Sequence, residues 1–122
     1  MSSPVIYLRG DVLLTDLPFA DITGSKVRPV VVVQNNIANK VSGNLIVVAI
    51  STKVPHHLLP TQYKVNADSF VGRRTGLVKD SIVDCSVIYT VSKSRVRRKI
   101  GSFPPEAMAE IDKRLRVSLA LD

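Results

Sequence analysis

Continuous apolar runs divide the chain into a series of predicted strands. The run Val30–Val33 consists of four consecutive β-branched residues, which suit a pleated sheet and are poorly tolerated in a helix. Leu45–Ile50 is a second continuous apolar run. Runs without polar alternation are typical of strands that are covered on both faces. The pattern therefore predicts a sheet with two packed faces.

The complete pattern predicts strands separated by loops that are rich in turn-forming residues. We expect strands at Val12–Leu17, Arg28–Gln34, Leu45–Ile50 and Gln62–Val65, a long β segment over Leu77–Val91, and a short last strand at Arg97–Ser102. We expect loops at Pro18–Val27 and Ala67–Thr75, a turn from Asn35 to Asn44, and a loop bracketed by Pro55 and Pro60.

One helix is predicted after the last strand. It starts at Pro104-Pro105-Glu106, because proline at the first helical position and an acid in the first turn both favour initiation. Its apolar stripe consists of Met108, Ile111, Leu115 and Leu119. Short strands followed by one terminal helix predict a mainly β, α+β domain, a small barrel-like sheet capped by a helix, over residues 1–122.

The residues before the valine run give the sequence its first candidate for chemistry. Pro29 cannot donate to a sheet ladder, so we expect it at the first residue of a strand, and it holds Arg28 in an extended conformation. The pattern predicts a cation at the entrance of a core strand. Such an arginine is either a surface salt-bridge partner or a site residue.

Composition limits the classes of function. The chain is 45% hydrophobic and 22% charged, as in an ordinary globular domain. Its apolar runs are far shorter than the roughly 18 residues of a membrane helix, and residues 1–10 lack a signal-peptide pattern. One cysteine excludes an internal disulfide, and Cys85 with two histidines is a poor zinc set. We expect a cytoplasmic protein without metal or cofactor.

Net charge points to a polyanionic partner. The formal charge is +7, from 17 Lys and Arg against 10 Asp and Glu. A surface this basic favours RNA, DNA or an acidic protein. The densest basic cluster lies within Lys93–Lys99, and it could bind phosphates, bind an acidic protein or form a solvated face.

Several short motifs, in order and at their spacing, resemble the MazF/PemK family of toxin endoribonucleases from type II toxin–antitoxin modules. The resemblance covers nearly the whole chain. The motifs are Arg9-Gly10-Asp11, Gly24 with Val27-Arg28-Pro29-Val30, Ala49-Ile50-Ser51, Gly76-Leu77, Lys79-Asp80-Ser81, Thr90-Val91-Ser92-Lys93-Ser94-Arg95, Ile100-Gly101 and Pro105-Glu106.

The resemblance implies an SH3-like barrel of the MazF/CcdB kind and a symmetric homodimer. It also implies metal-independent cleavage of single-stranded RNA at short sequence motifs, with inhibition of growth. The expected partner is an acidic antitoxin, which implies DNA binding together with that antitoxin.

The resemblance also implies site residues. Arg28 corresponds to the catalytic arginine of the family, and either Ser51 or Thr52 corresponds to the hydroxyl residue that completes the site. RNA supplies its own nucleophile, the 2′-hydroxyl, so the protein needs to position it and to stabilise charge at phosphorus. A guanidinium suits this task because it is planar, always charged and bidentate toward phosphate.

Further cations and histidines are hypothesised to contact RNA. These residues are Lys26, Lys53, His56, His57, Arg73 and Arg74. For the histidine pair, the competing interpretation is an exposed loop between prolines. For the two arginines, the competing partner is the antitoxin.

One stretch departs from the family pattern. Relatives often carry an acid, a glutamine, any residue, an arginine and a threonine where this chain reads Ser86-Val87-Ile88-Tyr89-Thr90. The departure favours one alternative, a catalytically weakened protein that binds antitoxin or RNA. A second alternative is a DNA gyrase poison, because the CcdB toxins share this barrel.

Overall fold

Antiparallel strands pair into one sheet in the computed structural model, which describes residues 5–18 and 25–122. The strands are β1 (Asp11–Pro18), β2 (Ser25–Val32), β3 (Asn44–Ser51), β4 (Gln62–Val65), β5 (Ser81–Ser92) and β6 (Val96–Ser102). Their spatial order is β4-β5-β3-β2-β1-β6. The mainly β fold is confirmed. Over the described ranges the sheet is open, with β4 and β6 at its edges, rather than closed into a barrel.

Both faces of the sheet are packed, as the valine run predicts. Alternate residues of a strand point to opposite faces, so Val31 joins one core cluster while Val30 and Val32 join the other. All three side chains are fully buried. We call the cluster beneath the terminal helix the first core and the cluster on the opposite face, which includes Leu13, Leu17, Val47 and Val91, the second core.

The start of β2 differs from the prediction. The strand begins at Ser25 rather than Arg28, since its pairing with β1 continues as far as the Pro18–Ser25 pair. Val27 is therefore a strand residue, whereas residues 19–24 of the predicted loop lie outside the described part of the chain. Pro29 is not the first strand residue. The β2–β3 ladder begins only at Val30, so the proline interrupts no bond between those strands.

Two segments predicted as turn or loop contain short helices. Helix α1 (Asn36–Val41) follows Asn35, whose side chain accepts a hydrogen bond from the Ala38 backbone N–H. Helix α2 (Phe70–Thr75) follows Ser69, whose side chain accepts from the Gly72 N–H. Asparagine and serine favour both turns and helix N-caps, and a helix of six residues is too short for an apolar period to reveal it.

Strand β5 begins four residues later than predicted, because Gly76 ends α2 and a loop follows it. Gly76 has φ +77°, and a Cβ at this position would collide with the Ile100 backbone of β6. Asp80 holds the same loop by accepting a hydrogen bond from the Ala67 N–H at 2.8 Å. The loop is thereby fixed against the end of the sheet.

The predicted terminal helix is confirmed as α3 (Pro105–Leu119). Met108 and Ile111 are buried in the first core and Leu115 packs partly against it, but Leu119 is 53% exposed. An ion pair between Arg9 and Asp112 ties the segment before β1 to α3. No helix in the described ranges is long and apolar enough to cross a membrane.

Candidate active site

A cavity of about 250 Å³ opens where β3 ends, beside the middle of β2, on the face of the second core. It contains four of the residues that the sequence analysis proposed for the site. The residues that line it are Leu17, Arg28, Pro29, Ala49, Ile50, Ser51, Thr52, Lys53 and Tyr89. The chain thus brings together groups that are more than 70 residues apart in sequence.

Strand register explains why Arg28 and Ser51 meet. In the β2–β3 ladder Val30 lies opposite Ala49, and the same register continued by two residues places Arg28 opposite Ser51. Residues two apart on a strand share a face, so both side chains lie on the face of the second core. The valine run anchors this geometry because Val30 and Val32 are fully buried.

Two basic residues line the cavity. Arg28 and Lys53 line it, and no Asp or Glu does so among the described residues. The Ser51 hydroxyl accepts a hydrogen bond from the Lys53 backbone N–H at 3.1 Å. That bond orients the hydroxyl and uses an acceptor position, so the O–H proton is available to donate to a ligand oxygen. The arrangement can bind an anionic group of phosphate size.

Thr52 joins the cavity to a second, more apolar groove. The side chain is exposed, whereas Ser51 is half-buried. The adjoining groove has a volume of about 300 Å³ and shares Pro29 and Thr52 with the cavity. Its other residues are Leu14, Gly76, Leu77, Val78, Lys79, Ser81, Arg98 and Ile100. The two depressions form a continuous surface past Thr52.

The other residues proposed for RNA contact lie outside the cavity. Lys26 is exposed two residues before Arg28, on the same face of β2. His56 and His57 are exposed in the loop between β3 and β4, as their competing interpretation also required. Arg73 and Arg74 are exposed on α2, and the Arg74 guanidinium lies over the Phe70 ring at 5.8 Å. None of these five residues lines the cavity.

Several cations of the basic cluster within Lys93–Lys99 interact with other groups of the same chain. Lys99 forms an ion pair with the buried carboxylate of Asp11 at 3.0 Å, and Arg97 pairs with Asp16 at 3.1 Å. Lys93 donates to the Asn39 carbonyl. Arg98, by contrast, lines the adjoining groove. The net charge available to a polyanion is therefore smaller at this cluster than the sequence indicates.

Tyr89 is the aromatic residue of the cavity, and the sequence analysis gave it no role. It lies opposite Val47 on β3, past an irregularity at which three residues of β5, Cys85–Val87, have no partner in the β3 ladder. Asp84 stabilises the irregular segment by accepting hydrogen bonds from the Ser86 N–H and hydroxyl. The only feature of the sequence that drew attention to Tyr89 was the departure from the family pattern at Ser86–Tyr89. That departure does not reveal how β5 pairs with β3.

Cys85 is a core residue rather than a nucleophile. Its side chain is fully buried in the first core, and burial raises the pKa of the thiol to about 11. A thiol with this pKa is protonated at neutral pH and therefore unreactive. Among the described residues no group of three or more His, Cys, Asp or Glu could hold a metal ion.

Comparisons with known proteins identify the family. Residues 8–119 match the family model described as PemK-like, MazF-like toxin of type II toxin–antitoxin system. The chain is 38% identical over 120 residues to Endoribonuclease EndoA of Bacillus subtilis (strain 168), with 96% of this chain and 97% of that protein covered.

Solved structures of similar fold include toxin–antitoxin complexes. An endoribonuclease in complex with its cognate antitoxin from a mycobacterial species superposes with a TM-score of 0.75 at 22% identity, covering 95% of this chain and 97% of that one. A MazE–MazF complex from Deinococcus radiodurans gives 0.73 at 17% identity, with 98% and 100% covered. The fold, the family model and the curated relative agree, and this chain belongs to the PemK/MazF family of toxins of type II toxin–antitoxin systems.

Proposed function

We propose that the protein is a toxin endoribonuclease that cleaves single-stranded RNA, including mRNA in the cytoplasm, at short sequence motifs without a metal ion. The observation that carries the proposal is the meeting of Arg28 and Ser51 in one cavity that also contains Lys53 and no carboxylate among its described residues. The similarity to Endoribonuclease EndoA, at 38% identity over nearly the whole chain, supports the same activity.

The chemistry follows from the groups in the cavity. The RNA 2′-hydroxyl loses its proton and attacks the adjacent phosphorus, the bond to O5′ breaks, and O5′ gains a proton. The products are a 2′,3′-cyclic phosphate and a 5′-hydroxyl end. Arg28 stabilises the charge that develops on the phosphorane oxygens, since a guanidinium can bind two of them at once. Ser51 donates a hydrogen bond to the same phosphate.

The residues around the cavity bind the flanking RNA. Lys53 lines the cavity and Lys26 follows the same face of β2, so both supply positive charge along a path for the phosphate backbone. His56 and His57 provide exposed contacts in the neighbouring loop, and Arg73 and Arg74 provide contacts on α2. These contacts contribute affinity rather than catalysis.

The partner that neutralises the toxin is an acidic antitoxin. The net charge of +7 complements an acidic peptide, and one structural neighbour is an endoribonuclease bound to its cognate antitoxin. The toxin itself functions as a homodimer, it inhibits growth when the antitoxin is absent, and it binds DNA only together with the antitoxin.

The two adjacent hydroxyl residues are expected to differ in their contribution. Ser51→Ala should lower kcat about 10-fold or more, because it removes a hydrogen bond to a charged phosphate in the transition state. Thr52→Ala should change kcat by less than about 3-fold, since its exposed side chain lies where the cavity meets the adjoining groove. Single-turnover cleavage of one oligoribonucleotide measures both, and a larger loss in Thr52→Ala would reassign the catalytic hydroxyl.

The proposal is tested by incubating the purified protein with a long single-stranded RNA in the presence of EDTA. We expect cleavage at a recurring short motif, with 5′-hydroxyl ends at every site. Intact RNA under these conditions would contradict the proposal. If that protein still bound an acidic antitoxin, the departure at Ser86–Tyr89 would instead favour the catalytically weakened binding protein.

A further inference from the structure

Tyr89 presents an aromatic ring to the cavity from a rigid position. The residue is half-buried on β5 and packs against the second core, which includes the fully buried Leu13 and Val30. It pairs with Val47 of β3, the strand that ends in Ser51. Packing of this kind fixes the ring at little further cost in conformational entropy when a ligand binds.

The wall of the cavity combines two kinds of chemistry. Arg28, Ser51 and Lys53 supply charge and hydrogen bonding, while Leu17, Ala49 and the Tyr89 ring supply apolar surface. A nucleotide has the same division between its phosphate and its base. The volume, about 250 Å³, is below the roughly 300 to 1,000 Å³ of pockets that hold drug-sized ligands, and so fits one nucleotide rather than an extended strand.

We propose that Tyr89 is the stacking platform for a nucleobase next to the scissile phosphate, with Leu17 and Ala49 as the apolar walls of that base subsite. The inference deepens the proposed function and rests on it. Proteins that bind single-stranded RNA commonly stack unpaired bases on aromatic rings, and a fixed ring accepts any base face. Tyr89 therefore acts in substrate binding rather than in the chemical step.

Tyrosine fluorescence tests base stacking without requiring cleavage. The chain has no tryptophan and three tyrosines, Tyr7, Tyr63 and Tyr89, so tyrosine emission can be observed directly. A base stacked on Tyr89 quenches its emission, and we expect poly(U) and poly(A) single strands to quench the wild-type signal. Tyr89→Phe keeps the ring but removes the fluorophore, so most of the quenching should disappear.

Tyr7 offers a matched control. It is also half-buried against the second core, but it lines a separate groove beside α1 rather than the cavity. Tyr7→Phe should retain the RNA-dependent quenching. Equal quenching in Tyr89→Phe and wild type would overturn the inference, and this result is obtained whether or not the protein cleaves RNA.

A cleavage assay tests whether the base beside the scissile phosphate contacts Tyr89. Tyr89→Leu should raise KM by roughly 5- to 150-fold with kcat little changed, because stacking binds substrate and transition state alike. Tyr89→Phe, which keeps the ring, should raise KM less than Tyr89→Leu does, and Tyr7→Phe, outside the cavity, should remain within about 2-fold of wild type. An oligoribonucleotide with an abasic ribose beside the scissile phosphate should raise the KM of the wild-type protein by a similar factor. The same substrate should not raise the KM of Tyr89→Leu any further.

An equal abasic penalty in wild type and Tyr89→Leu would show that the base does not contact the ring, and would overturn the inference. A wild-type protein that does not cleave contradicts the proposed endoribonuclease activity instead. The quenching experiment then still decides between a base subsite and an unoccupied cavity. The two proposals can therefore fail separately.

Discussion

Replacing Arg28 with alanine is expected to lower kcat/KM for RNA cleavage by roughly 10²- to 10³-fold. The reason is the place of Arg28 in the cavity, which Ser51 and Lys53 also line and where the guanidinium meets the phosphorane charge. The loss should fall mainly on kcat, since that charge is greater in the transition state than in the bound substrate. Rapid-quench measurement of one oligoribonucleotide separates kcat from KM.

Arg28→Lys distinguishes geometry from charge. A lysine keeps the positive charge but cannot bind two phosphate oxygens in a planar fork, so we expect it to recover less than about 10-fold of the lost activity. Arg116→Ala is the control, because this arginine is exposed on α3, which packs against the opposite face of the sheet. Full activity in Arg28→Ala, with a circular dichroism spectrum like that of wild type, would contradict the assignment.

Truncation of Ile111 to alanine is expected to cause the largest loss of stability, about 2 to 5 kcal/mol in the free energy of unfolding. Ile111 is fully buried on the inner face of α3, in contact with the first core. Its truncation leaves a cavity that neighbouring strands cannot fill without distorting the sheet. Because single domains have roughly 5 to 15 kcal/mol of total stability, the midpoint of urea denaturation should fall clearly.

Leu119→Ala provides the matched comparison on the same helix. It continues the apolar stripe of the sequence pattern, yet its side chain is 53% exposed in the single chain. We expect a change of less than about 0.5 kcal/mol in a dilute sample. A loss equal to that of Ile111→Ala would contradict the placement of Leu119 outside the core.

The strands could be predicted because their apolar runs are strong and local. Val30–Val33 and Leu45–Ile50 predict β2 and β3, and the sheet buries most of them, although Val33 lies just beyond β2 and Ile46 is 39% exposed. The short helices could not be predicted, because Asn35 and Ser69 are as suited to a turn as to a helix N-cap. The start of β2 was missed because pairing with β1, a tertiary contact, extends the strand past Pro29.

The candidate site also contains residues that the sequence could indicate and residues that depend on tertiary structure. The resemblance pointed to Arg28 and to either Ser51 or Thr52, and all three residues line one cavity. Tyr89 depends on the irregular pairing of β5, which no local pattern specifies. The positive charge that the run within Lys93–Lys99 offers to a polyanion was overestimated for a related reason. Its partners Asp11 and Asp16 lie on β1, about 80 residues earlier in the chain.

The central claim is that the cavity uses Arg28 to promote attack by the 2′-hydroxyl of RNA itself. It is tested most directly with an oligoribonucleotide that carries a single 2′-deoxy substitution at the nucleotide before the scissile phosphate, in EDTA. We predict that the wild-type protein cleaves the all-ribose strand to a 2′,3′-cyclic phosphate and leaves the substituted strand intact. Cleavage of the substituted strand at an unchanged rate would contradict the claim.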